Sequence, residues 1–358
     1  MKRFLPLFSS VLVILSVSCS LLSLPSETPP SPVPTETVGM APITQPSQVL
    51  PPLPIRSHPA SLCGNGICQG PENATNCPAD CAGGLLTPQS TGTTGTYTVI
   101  NPSSGAALAV YVNIPANASA ESPAPALVLA PGGSGASSSF RKPDGEFYVF
   151  PQEGYAVIVF DPDGRGKSTG TEDYNGFLQQ DGLAAVIEFA ASLPGVDPSR
   201  IGLVTYSYGI TMGAGALARH PDLPVKFLID WEGPANRNDT GGCDAGSLGH
   251  LQDVASCTDE AFWSQREAST FISQIRVPYQ RIQSQEDHVQ PDNAHAILMV
   301  NNAVNGGVPW VRLNDLPPNQ TYDPANPPAM LPEQNSNVLP ALVLKYVQQM
   351  FELVESGK

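Results

Sequence analysis

The stretch Ile201 to Gly215, IGLVTYSYGITMGAG, joins an apolar run to a run of small residues, with one serine at the joint. The apolar half predicts a strand ending at Thr205, and the small-residue half predicts a helix from Ser207 to Arg219. A serine on a sharp strand-to-helix turn presents its hydroxyl above the sheet edge and at a helix N-terminus. Ser207 is therefore the candidate nucleophile. Such a turn brings strand and helix close, so small residues are needed two positions before and two after the serine. Gly209 meets the second need, and Thr205 stands at the first. An ordinary serine N-cap is the plainer reading of the same residues. Upstream, LVLAPGGSGASS (Leu127 to Ser139) reads as a strand followed by a flexible glycine-rich loop. Glycines let backbone N–H groups turn toward a developing oxyanion, and Gly133 and Tyr208 are the expected donors.

Two further segments carry a family resemblance. VFDPDGRGKSTG (Val159 to Gly170) closely resembles the D-x-R-G-x-G-x-S loop of α/β-hydrolases. Its Gly-Lys-Ser also suggests a phosphate loop, but the first glycine of that motif would fall on Asp161, and no helix follows directly. SLPGVDPSRIGLVTYSYG (Ser192 to Gly209) resembles the approach to the serine turn in dienelactone-hydrolase and prolyl-peptidase-like members of that superfamily. The glycine-rich loop lies where the family places its oxyanion loop, with Pro131 in place of the usual histidine. Three motifs in family order imply an α/β-hydrolase fold.

The resemblance also implies an acid after the next-to-last strand and a histidine after the last. Asp287, in IQSQEDHVQP, matches the acid. The last-strand region, WVRLNDLPPNQTYDP, offers Asn314 and Asp315 but no histidine, and none follows His295. The remaining histidines must supply any base. His58 lies in a tether, and His220 ends the helix after the serine, where a cation suits the helix dipole. His250 lies in a predicted lid, and His295 reads as a surface or packing residue on a helix. His288 adjoins the acid position on a loop that opens at the active-site edge, and it is the nearest replacement. Adjacent residues on an extended loop point apart, so Asp287 is poorly placed to orient His288. Glu232, just past a strand at Phe227 to Asp230, is the better orienter. This chemistry calls for no cofactor and no metal.

These residues need a scaffold, and the pattern from Tyr97 onward supplies one. Strands are expected at Ala107–Ile114, Ala126–Ala130, Ala156–Phe160, Ile201–Thr205, Phe227–Asp230, Tyr279–Ser284 and Trp310–Leu313. Helices are expected at Phe177–Ser192 (amphipathic), Ser207–Arg219, Asn293–Val304 and Ala341–Val354. Short apolar strands interleaved with helices predict a mostly parallel sheet covered on both faces, spanning residues 97–356. Residues 234–273 are too many for a simple crossover and predict a lid, pinned by Cys243 and Cys257.

The 358 residues carry a formal net charge of −15, which excludes nucleic acid as a partner and electrostatic docking on anionic lipid. Lys2 and Arg3 precede a short apolar run, and small residues precede Cys19. Residues 1–19 therefore read as an export signal, and Cys19 resembles a bacterial lipidation site, with plain secretion as the other reading. The only membrane contact expected is this lipid anchor. Residues 20–62 are rich in Pro, Ser and Thr, as in an extended tether.

Of the seven cysteines, Cys19 aside, an even set remains: Cys63, Cys68, Cys77, Cys81, Cys243 and Cys257. In an exported chain that parity implies disulfides, with local pairing the simplest arrangement. Residues 63–81 resemble a small Cys-rich module of bacterial secreted proteins, distantly like Notch-type repeats. That resemblance hints at calcium on Asn65, Glu72, Asn76 and Asp80, although a passive disulfide knot fits better and zinc spacing is absent. A Gly/Thr-rich linker, residues 82–96, follows.

The expectation is an exported serine hydrolase acting on a small-molecule or polymer ester through an acyl-enzyme on Ser207. Two rival readings remain: a catalytically degenerate scaffold that binds at the cell surface, prompted by the empty last-strand position, and a protein whose Cys-rich module docks it on a surface polymer.

Overall fold

The computed structural model describes residues 94–240, 243, 251–332 and 338–357. The expected signal segment with Cys19, the tether with His58, the Cys63–Cys81 module and His250 all lie outside the described residues, as does most of the linker.

Eight strands form one sheet: β1 (Thr94–Ile100), β2 (Ala107–Asn113), β3 (Ala124–Ala130), β4 (Ala156–Phe160), β5 (Val196–Tyr206), β6 (Val225–Trp231), β7 (Tyr279–Ile282) and β8 (Val311–Leu313). Their spatial order is β1-β2-β4-β3-β5-β6-β7-β8. β1 pairs antiparallel with β2, and β2 antiparallel with β4; all other pairs are parallel. The central strands are apolar on both faces because helices cover both. Side chains alternate between two cores. Val128, Ile158 and Leu203 face one core, while Leu127, Leu129, Val157 and Val204 face the other.

The helices are α1 (Glu146–Val149), α2 (Phe177–Ser192), α3 (Gly209–Arg219), α4 (Glu260–Trp263), α5 (Ala268–Phe271), α6 (Ala294–Asn305) and α7 (Leu339–Glu355). α2 and α3 lie on the first core's face, and α7 closes the other through Val343, Tyr346, Val347 and Met350. None of the described helices is long and apolar enough to cross a membrane.

Four expectations need correction. Thr94–Thr96, expected in the linker, belong to the sheet, because they pair in register with Tyr111–Asn113 of β2. β5 begins at Val196, five residues before the expected Ile201, since Val196 already pairs with Ala124 ahead of a register shift. α2 is not one-faced: Gln179, Gln180 and Asp181 are buried along with Leu183, Val186 and Ile187. Its polar residues point into a hydrogen-bonded network rather than into water. The lid is also shorter than residues 234–273. Ala268, Phe271 and Ile272 are buried in the main core, so α5 and the 3-10 turn after it belong to the body.

The remaining lid segment is tied down three ways. Cys243 and Cys257 form a disulfide. Arg237 pairs with Glu260 and Glu267, each at 2.6 Å. Arg266 reaches Asp173 at 2.5 Å on the loop before α2.

Candidate active site

Ser207 follows β5 directly and has φ +50°, a left-handed conformation unfavourable for a residue with a Cβ. Its N–H donates to Trp231 O at 2.8 Å, locking the turn to the end of β6. Thr205 fits where a smaller residue was expected because its methyl points at Gly213. A Cβ on Gly213 would lie 2.4 Å from Thr205 Cγ2. The missing side chain has moved from the strand to the first turns of the helix.

His288 stands on the loop after β7. Its Nε2 lies 2.9 Å from Ser207 Oγ, and its Nδ1 lies 2.8 Å from Glu232 Oε2. A carboxylate only accepts, so the proton belongs on Nδ1 and the Ser207 hydroxyl donates to Nε2. The imidazole stacks on Trp231, with ring centroids 4.5 Å apart. Glu232 follows β6, also in left-handed conformation, with φ +47°, and is buried. Besides His288 Nδ1 it accepts from Ser284 N at 3.0 Å and His288 N at 3.2 Å. One carboxylate thus fixes both the ring and the loop that carries it.

Asp287, the acid implied by family position, turns the other way. Its Oδ1 accepts from Val289 N and Gln290 N, both at 2.8 Å. Its Oδ2 accepts from Gln283 Nε2 at 2.9 Å and lies 3.2 Å from His295 Nε2. Only a looser approach of 3.5 Å reaches His288 Nδ1. Burial opposes charge on Asp287, but His295, Gln283 and the Gln290 N–H outweigh it and hold the carboxyl far below its usual range. Its geometry is that of a loop anchor. His295 is buried beneath this loop, the packing one of the two readings given for it.

The position after β8 is filled by Asn314, buried with φ +50°. Its Oδ1 accepts from Gln283 N at 2.8 Å and its Nδ2 donates to Gln283 O at 3.0 Å. The side chain pairs with the β7 backbone like one more strand residue. The two partners of Ser207 therefore come from the ends of β6 and β7, one strand earlier than family position implies for each.

Gly132 and Gly133 follow β3. A Cβ on Gly132 would lie 2.8 Å from Ser207 Cβ and 2.7 Å from Tyr206 O, so only glycine lets the loop close on the serine. The N–H groups of Gly133 and Tyr208 have no hydrogen-bond partner among the described residues. The Gly133 carbonyl is held by Arg165 Nη1 at 3.0 Å. Arg165 itself is gripped by Glu172 through two bonds of 2.7 Å. The arginine of the DPDGRG loop thus sets the conformation of the glycine-rich loop from behind. On the other side, Asn175 Nδ2 donates to Tyr208 O at 2.7 Å, steadying the start of α3.

Two cavities meet at Ser207. One, of about 380 Å³, runs beneath the lid segment and is walled by Tyr174, Tyr208, Pro234, Leu251, Val254 and Val289. The other, of about 400 Å³, is lined by His288, Trp231, Tyr206, Phe140 and Glu146. Glu232, Asp287 and His288 are close enough together to share a cation. However, His288 already spans Ser207 and Glu232, and both Asp287 oxygens are engaged, so a metal would have to break these bonds.

Sequence reasoning passed over Trp231 and Arg165, and it placed Asn314 after the last strand without a role. The DPDGRG resemblance contained Arg165, and the end of a strand next to Glu232 contained Trp231. No local signal marks Asn314, whose role depends on a strand far away in the chain.

The family profile described as alpha/beta hydrolase fold matches residues 125–226. No curated protein matches the chain in sequence. Among solved structures, the chain is similar to Porphyromonas gingivalis dipeptidyl peptidase 4, with 17% identity, TM-score 0.56, and coverage of 72% of this chain and 35% of that one. It is similar to Pyrococcus horikoshii acylaminoacyl peptidase, with 17% identity, TM-score 0.54, and coverage of 77% and 43%. It is also similar to a Pyrococcus furiosus esterase, with 13% identity, TM-score 0.52, and coverage of 74% and 92%. The chain spans about a third of the dipeptidyl peptidase it matches. Together with the strand order, these likenesses establish that the chain has the α/β-hydrolase fold.

Proposed function

We propose that the protein is a serine hydrolase that cleaves carboxylic esters through an acyl-enzyme. The observation that carries this reading is the continuous chain from Ser207 Oγ through His288 to Glu232, with contacts of 2.9 and 2.8 Å. Ser207 attacks the ester carbonyl while His288 Nε2 takes its proton. The Gly133 and Tyr208 N–H groups receive the oxyanion. The acyl C–O bond then breaks, the departing alkoxide takes the proton from His288, and the acyl group stays on Ser207. Water, deprotonated by His288, releases the acid and restores the serine. Glu232 holds the Nδ1 proton and stabilises the charged ring throughout.

The binding-scaffold reading rested on the empty last-strand position, and His288 removes that ground. An ester is favoured over a peptide because the esterase resemblance covers 92% of that enzyme, whereas both peptidases extend far beyond the matched part. Export to the cell envelope, with a lipid anchor on Cys19, is part of the same proposal. The Cys243–Cys257 disulfide supports it, since such bonds persist in oxidising compartments.

The test is labelling by a fluorophosphonate and turnover of a short activated ester. Wild type is expected to show both and Ser207→Ala neither, with the fold kept, because a hydroxyl contributes only about 1 kcal/mol net. Equal labelling of the two proteins would overturn the reading.

A further inference from the structure

The cavity of about 400 Å³ differs from its neighbour in a way that bears on substrate. His288 lines this cavity and not the one beneath the lid segment. A histidine that takes the serine's proton hands it to the departing oxygen, so the leaving group must lie on the His288 side. On the hydrolase reading above, on which this step rests, the acyl part enters the apolar cavity and the alcohol part enters this one.

Its walls are aromatic and its floor is acidic. Phe140, Tyr206 and Trp231 stand in a row, with ring centroids 5.0 and 6.1 Å apart. Glu146, at the start of α1, is only 6% exposed and lines the same cavity, yet no cation pairs with it among the described residues. Tyr206 is likewise 6% exposed, and its hydroxyl is buried beside Glu146, the polar group that interacts with it. Lys142 and Asp144 also line the cavity and offset each other in charge. Burial raises the Glu146 carboxyl, against the pull of its own N–H, of Tyr206 and of Lys142. A buried carboxyl with no close ion pair among the described residues, beside three aromatic side chains, is an arrangement that a cation completes.

We infer that this cavity receives a leaving group carrying an organic ammonium, held by Glu146 and by the aromatic faces of Phe140, Tyr206 and Trp231. The substrate class is then an ester of an amino alcohol with an apolar acid.

The experiment compares kcat/KM of the full chain on the choline ester and the 3,3-dimethylbutyl ester of one short acid. The two alcohols match in shape and differ in charge. Wild type is expected to prefer the choline ester about tenfold, the size of a desolvated cation–π contact with a carboxylate nearby. Glu146→Gln is expected to reduce that ratio to near one. Lys142→Gln, which removes a competing positive charge at an exposed site, is expected to raise it about twofold. A wild-type ratio at or below one overturns the inference, as does a ratio unchanged in Glu146→Gln. If that variant fails to fold, a ratio unchanged or lowered in Lys142→Gln overturns it. A glycerol or sugar ester preferred over both probes overturns it in favour of a neutral polyol. Hydrolysis of the neutral ester without preference leaves the hydrolase reading standing, whereas turnover of neither ester removes both.

Discussion

Glu232 Oε2 lies 2.8 Å from His288 Nδ1, joining the ends of two neighbouring parallel strands through one proton. The contact is buried on the carboxylate side, since the Glu232 side chain is 1% exposed against 28% for His288. Removing either partner leaves the other without its mate, and the two acidic residues near His288 predict different outcomes.

Glu232→Gln is expected to lower kcat by about 10³- to 10⁴-fold, as when an orienting carboxylate is replaced by an amide that fixes the wrong tautomer. Asp287→Asn is expected to lower it by about tenfold or less, because that residue anchors the loop without a close bond to the ring. Steady-state kinetics on one activated ester separates the two. The reverse order would make Asp287 the orienting acid.

Gly132→Ala places a methyl against Ser207 Cβ and Tyr206 O, at 2.8 and 2.7 Å. The loop must retreat, carrying the Gly133 N–H with it. A displacement of this kind is expected to lower kcat by about 100-fold. Circular dichroism should show the secondary structure unchanged, and kcat near wild type would show that the loop gives way freely.

Replacing Cys243 and Cys257 with serine opens a loop with a sequence separation of 14. The chain-entropy account gives about 3 kcal/mol of lost stability for a loop of this size. Thermal unfolding with and without reductant should show the same loss in wild type and none in the double variant. An unshifted midpoint would mean that the Arg237 and Arg266 ion pairs alone secure the segment.

Asp181 ties α2 to the end of α3, accepting from Ser103 Oγ at 2.5 Å and pairing with Arg219 at 2.7 Å and His220 at 2.8 Å. Burial opposes the charge, but His220, Ser103 and Arg219 outweigh it and lower the carboxyl from 3.8 to about 2. A depressed carboxyl stabilises the fold above its unfolded value, and that contribution is lost as pH falls through the folded value. Asp181→Asn is therefore expected to unfold at lower urea near pH 7, by about 2 kcal/mol, with the gap to wild type closing between about pH 4 and pH 2. A gap independent of pH would assign the loss to packing.

Seven of the eight strands, the serine turn and the glycine-rich loop after β3 were legible because each rests on local pattern: apolar runs, and glycines at fixed offsets; β1, at the sheet edge and half exposed, was not among the expected strands. The α3 and α6 bounds, expected at Ser207–Arg219 and Asn293–Val304, needed only helical periodicity. Asp287 shows where local reading stops. Its family position is that of the acid, but the loop turns it toward Gln283 and His295, and the side of a loop is set by partners distant in sequence. The burial of Gln179 and Gln180 escaped for the same reason. Polar residues read as a solvent face until the arginine and loop carbonyls that they serve are placed beside them.

The stacking of His288 on Trp231 makes the proposed base optically visible. A protonated imidazole withdraws an electron from an excited indole at van der Waals contact and darkens its emission, while a neutral imidazole does so far less. The chain has three tryptophans. Trp263 and Trp310 have arginine guanidinium groups near their rings instead of an imidazole. The emission of the resting protein therefore reports whether the His288 ring keeps its place on Trp231, readable without substrate, inhibitor or label.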